Sequence, residues 1–316
     1  MKSIRRFPPV ISCLVAAAFC AVNLTVRVQA QEMPNEYQEA LKILDKQGDF
    51  KANVLKVNIP RKDLNVVVDG VSTPTPFGFG GWLAMTKGAG GTDVMMGDLV
   101  LTEDEVNPVM SALLDNGLEV TALHNHFFYE SPRLFYMHVM GHGKAADLAR
   151  MAKPAVELIG HVPARHPAGA PAAATLQPGK IDTGKIAQIV GHAGEQSGSV
   201  YKITVGRDDL SLKEMGATIN ARMGLNTWAA FVGTDDHAAV AGDVAMLEPE
   251  VTSVLKALRS HGLEVVAIHN HMIGPQPTII FLHYWGQGPV DKLAGGFKAA
   301  LDELGKSGVK CLPPAL

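Results

Sequence analysis

Apolar and polar side chains alternate along Val54 to Ile59 and again along Val200 to Val205, the period of strands with one buried face. A short helix precedes each, over Glu36 to Asp45 and Thr183 to Gly191. Further strands are predicted over Asn65 to Val68, over Trp82 to Thr86 or Trp228 to Val232, and over Asp93 to Leu101 or Ala238 to Met246. Val106, Val109, Met110 and Leu113, echoed by Val251, Val254, Leu255 and Leu258, then recur at helical spacing. Thr102 with Glu105 has capping-box spacing, and Asn116-Gly117 or His261-Gly262 supplies the stop. Two more strands follow, Glu119 to Phe127 with Arg133 to Met140, and Glu264 to Met272 with Ile279 to Trp285, before a closing helix from Lys144 or Val290. Strands, helix, strand pair and helix in that order predict an α+β fold with helices layered on a sheet.

Everything in that pattern occurs twice. Residues 97–143 and 242–288 align without a gap, and 20 of the 47 positions are identical. A shift of 146 further matches Gly48, Val54, Lys56, Arg61, Asp63, Leu64 and Trp82 to Gly194, Val200, Lys202, Arg207, Asp209, Leu210 and Trp228. The chain is an internal duplication, read as two tandem homologous two-layer domains over 35–158 and 181–305. A Pro/Ala-rich linker at 159–180 separates them, expected to be exposed and variable in conformation, and 306–316 is a tail.

Composition fits this picture: 316 residues, 47% hydrophobic and 19% charged, give a soluble globular class with a sizeable core. A formal net charge of −3 and no block of like charge argue against nucleic acid as a partner. Lys2, Arg5 and Arg6 precede the apolar run Val10 to Leu24, and Val28-Gln29-Ala30 offers a cleavage site. Residues 1–30 therefore read as a secretory signal peptide, in preference to an uncleaved anchor or a lipid-modified Cys20. The mature protein is expected to be exported, periplasmic or secreted, without a transmembrane segment, and to keep only Cys311, which rules out an internal disulfide.

The candidate chemistry lies in histidine. His124-Asn125-His126 with His138 returns as His269-Asn270-His271 with His283. In a strand, residues i and i+2 share a face, and a neighbouring antiparallel strand brings a third ring within about 5 Å. Three imidazoles at that spacing suit a divalent cation and leave an open position for water or substrate. Zinc is the first expectation, and copper, iron and nickel stay open. The competing reading is a hydrogen-bonded polar cluster inside a core. His142 is a further candidate in the first unit, and its counterpart is Gln287. Asp98 and Asp243 follow a glycine within a strand pattern and read as a turn rather than a bulge. Glu119 and Glu264 point away from the histidines unless a bulge intervenes, and Arg61-x-Asp63 reads as an ion pair.

The phrases at 97–109, 121–126 and 131–138 resemble the LppY/LpqO family of exported bacterial proteins, a domain of unknown function from which no reaction carries over. The second copy departs from them at Thr278 and Gln287. The leading expectation is an exported protein with a duplicated three-histidine site that binds a divalent metal and supports hydrolysis of an envelope small molecule or glycan. The alternative is a non-catalytic ligand-binding or structural protein.

Overall fold

The computed structural model describes residues 31–163 and 179–306. The expected signal peptide, most of the linker, and Cys311 lie outside them. The first half runs α1 (Asn35–Leu44), β1 (Gly48–Lys51), β2 (Val54–Pro60), β3 (Val66–Val68), β4 (Val71–Thr73), β5 (Gly80–Lys87), β6 (Asp93–Thr102), α2 (Glu103–Asp115), β7 (Glu119–His124), β8 (Glu130–Ser131), β9 (Leu134–Gly143) and α3 (Ala145–Leu158). The second half repeats it as α4 (Thr183–Val190), β10 (Glu195–Ser197), β11 (Val200–Gly206), β12 (Leu212–Glu214), β13 (Ala217–Ile219), β14 (Asn226–Gly233), β15 (Ala238–Leu247), α5 (Val251–Ser260), β16 (Glu264–His269), β17 (Ile279–Gly288) and α6 (Val290–Leu301).

Each half builds one antiparallel six-stranded sheet, in the order β1-β2-β5-β6-β9-β7 and β10-β11-β14-β15-β17-β16. The tandem α+β reading holds. One face of the first sheet, with Leu55, Val57, Leu83, Leu99, Met137 and Val139, packs under the helices. By strand parity the opposite face carries Val54, Lys56, Trp82, Met96, Asp98, Tyr136 and His138. That second face meets its counterpart from the other half rather than solvent.

The two halves exchange arms across this interface. β3, β4 and the turn at Thr75–Phe77 bring Val66, Phe77 and Phe79 against Val200, Ala230, Val232, Ala241 and Trp285 of the second sheet. Reciprocally, Leu212, Ala217, Ile219, Met223 and Leu225 cover Val54, Ala84, Val94, Met96 and Met140 of the first. Both inter-sheet cores therefore need residues from both repeats. Sequence division into 35–158 and 181–305 describes the duplication, while the described residues from Gln31 onward form one compact unit.

Glycine at two equivalent strand positions permits the close packing of the helix-covered faces. A Cβ on Gly97 would stand 2.5 Å from Leu83 Cδ2 and 2.9 Å from the Trp82 carbonyl, and one on Gly242 would meet the Trp228 carbonyl and the Tyr284 ring.

The Arg61 ion pair is real and larger than Arg61-x-Asp63 alone. Buried Arg61 donates to Asp63 Oδ2 at 2.7 Å, to Glu105 Oε2 at 2.6 Å and to the Val100 carbonyl at 2.9 Å. Glu105 also accepts from the backbone N–H of Thr102 at 2.7 Å, the helix-start contact expected from the sequence, and of Gly160 at 2.6 Å. Arg207, Asp209 and Glu250 repeat the network, with Leu247 N–H and Gly305 N–H as donors to Glu250. Each network ties the strand corner, the start of the middle helix and the chain beyond the closing helix.

Candidate functional site: a histidine cluster between two sheets

β9 pairs with β7 on one side and with β6 on the other, so His138 lies opposite Ala122 and Asp98. A bulge between Val120 and Ala122 shifts the register of β7 by one residue. His124 then stands opposite Tyr136, on the inter-sheet face, and Asn125 turns back to donate to the Leu134 carbonyl at 2.7 Å. His126 lies just beyond the strand and stacks flat on the Tyr136 ring, centroids 3.2 Å apart. The second half copies the bulge, between Val265 and Ala267, and stacks His271 on Phe281 at 3.4 Å.

The sequence chose these six residues but grouped them differently. It expected one trio per half, whereas the structure collects all six rings in a single cluster where the two sheets meet. Cross-half neighbours are the closest: His126 with His283 at 3.6 Å between centroids, His124 with His269 at 3.7 Å, and His138 with His271 at 3.9 Å. Ligand nitrogens within 4.8 Å of one another form two sets, His124 with His138 and His269, and His124 with His126 and His283. Each set draws on both halves. The reason is the face-to-face packing of the sheets, which no pattern within one repeat records.

Backbone carbonyls orient two of the rings: His283 Nδ1 lies 3.3 Å from the Gly242 carbonyl and His124 Nδ1 lies 3.4 Å from the Asn125 carbonyl, while Thr121 of the bulge donates to the His271 backbone carbonyl at 2.7 Å. A carbonyl on Nδ1 fixes the tautomer that leaves the Nε2 lone pair facing inward, the usual support of a metal-binding imidazole. His124 and His138 bring their Nε2 atoms to 3.0 Å, and His269 and His271 theirs to 3.1 Å. Among the described residues His126 Nδ1 and Nε2, His269 Nδ1 and His283 Nε2 are shielded from solvent without a hydrogen-bond partner. Left so, each costs about 1–3 kcal/mol.

Burial holds the rings neutral. It lowers His124 to about 4 and holds His126, His138, His269, His271 and His283 well below the ordinary histidine value, with neighbouring imidazoles adding to the effect. Neutral imidazole is the ligand form. These depressed values mean that the unfolded chain binds more protons below its ordinary histidine pKa of about 6.5. Metal-free protein should therefore lose stability as pH falls from about 6.5 toward 4. Asp98 and Glu130, each raised to about 7 by burial, and Asp243, also raised, act in the opposite direction: what they contribute is present at low pH and lost as pH rises. Six imidazoles outweigh three carboxyls, so the urea midpoint of chelator-treated protein should be lower at pH 5 than at pH 7. An equal or higher midpoint at pH 5 contradicts this.

Three sequence expectations change here. Asp98 and Asp243 are neither turn nor bulge but regular strand residues, opposite Trp82 and His138, and Trp228 and His283. Period-two alternation from Val94 through Met96 sends them to the histidine face. A bulge does intervene after Glu119, placing it opposite Met140 on that face, yet it sits exposed at the sheet end. His142 is exposed, outside the cluster, and Gln287 in its place donates to Asp69 Oδ2 at 2.8 Å.

Beside the rings opens a cavity of about 510 Å³, and His126, His271 and His283 form part of its wall. Asp98, Asp243, Lys56, Lys202, Trp82 and Trp228 also line it. Asp243 Oδ2 lies 3.8 Å from His271 Nε2, while Asp98 Oδ1 is shielded without a partner. The lysines were visible in the sequence only as repeat matches. Their signal is parity: Lys56 falls on the face opposite Leu55 and Val57, which is a core face here.

Against known proteins, a family model described as Domain of Unknown Function (DUF1259) matches twice, over residues 38–158 and 184–303. No curated protein matches the chain. Among solved structures, the trimeric bacterial microcompartment shell protein PduB is 13% identical, with 81% of this chain and 91% of that chain covered and a TM-score of 0.19. EtuB from Clostridium kluyveri is 7% identical, with 82% and 89% covered and a TM-score of 0.20. No helix among the described residues is long and apolar enough to cross a membrane.

Proposed function

The chain belongs to the DUF1259 family, and from that premise we propose that it binds a divalent transition metal between its two halves. The supporting observation is His126, 5% exposed with both ring nitrogens lacking a hydrogen-bond partner. A histidine kept only for packing would be expected to bond its neighbours, as His283 does through Nδ1. Neutral, inward-facing imidazoles without thiolate suit zinc first, with copper, iron and nickel as competitors. Bound there, the ion would supply a Lewis acid and an acidified water at the wall of the cavity, the chemistry of hydrolysis. Export to the periplasm or medium, and kinship within the family with the LppY/LpqO proteins, belong to the same reading.

A second reading is favoured by the ring stacking of His126 on Tyr136 and His271 on Phe281. It makes the cluster a core element of a non-catalytic binding or structural protein. Elemental analysis separates the two. Purified protein should carry a transition metal that the His126→Ala, His138→Ala double variant, which breaks both nitrogen sets, loses while staying folded. Metal-free wild type that takes up no zinc, copper, iron or nickel on dialysis contradicts the first reading.

A further inference from the structure

Lys56 of β2 and Lys202 of β11 are equivalent residues of the two repeats, and both line the cavity beside the histidines. Each ammonium sits over an indole, at 4.5 Å from the Trp82 ring and 3.9 Å from the Trp228 ring. Aromatic faces hold a cation in place without neutralising it. Among the described residues neither ammonium has a carboxylate within ion-pair distance, although Asp98 and Asp243 line the same cavity. Arg222, a third cation on the wall, is already paired with Asp49 at 2.9 Å. A partly desolvated ammonium pair is unfavourable unless a counter-charge meets it.

We propose that this cavity is a binding site for a small dianion, received by Lys56 and Lys202 with Asn58 and Thr204 as neighbouring hydrogen-bonding groups. The volume suits a ligand larger than an inorganic ion, since small-molecule pockets start at about 300 Å³. The oxyanion groups would be carboxylate or phosphate, which two point-charge ammoniums accept alike. Anion binding here uses side chains other than the imidazoles, so it does not depend on the metal reading.

Calorimetric titration of the chelator-treated chain with malonate and, separately, with inorganic phosphate tests this and tells the two chemistries apart. Saturable one-to-one binding of at least one dianion is expected, weakened about tenfold or more by Lys56→Met and by Lys202→Met. The surface variant Lys256→Met should bind as wild type, and circular dichroism should show all three variants folded. No saturable binding of either dianion, or binding that survives both cavity substitutions, overturns the proposal. So does equal weakening by Lys256→Met.

Discussion

Glu105→Ala is expected to destabilise the protein by about 3–5 kcal/mol, the range for stripping one partner from a buried ion pair. Arg61 and Glu105 side chains are each 3% exposed, so water cannot replace the lost carboxylate. The substitution also orphans the backbone N–H groups of Thr102 and Gly160. Asp63→Ala removes a partner that is 47% exposed and should cost distinctly less, because solvent can take its place. Urea unfolding at pH 7 with an unchanged slope would measure both. A Glu105→Ala midpoint close to that of Asp63→Ala would show that the network does not hold the fold as described. Glu250→Ala, its equivalent, should behave alike.

Zinc added to chelator-treated protein should raise its unfolding free energy, by about 4 kcal/mol at a thousandfold excess over Kd. The effect follows because ligands from β7, β9, β16 and β17 come together only in the folded chain. His124→Ala, which removes the ligand common to both nitrogen sets, should cut the increment sharply, although its ring contributes stacking that alanine also removes. The comparison is therefore the zinc-dependent shift within each variant, not the variants' stabilities. Identical shifts in wild type and His124→Ala would place any bound zinc elsewhere.

Much of the fold was legible in the sequence because the strands with one helix-covered face carry strong alternation, and because each element could be checked against its copy. Helices over Asn35–Leu44 and Ala145–Leu158 fall within a residue of expectation at their starts. β3 lies within the predicted strand Asn65 to Val68, but short β4, β12 and β13 were poorly legible: their buried valine, leucine, alanine and isoleucine face the other half, and three-residue strands have almost no period to read. Histidine identity was fully legible and its grouping was not. Alternation places a ring on a face, but the partner of that face is set by tertiary packing. Asp98 shows the same limit in a milder form, since glycine before an acid resembles a turn until the strand around it is seen to run through.

Metal content of paired variants tests the shared site most directly. His126 and His283 belong to one nitrogen set though they come from different halves, and His138 belongs to the other. The double variant His126→Ala, His283→Ala should retain as much metal per chain as either single variant, and His126→Ala, His138→Ala should retain less. The reverse order, with His126 and His138 losing a common ion and His283 an independent one, would mean that each half keeps its own site.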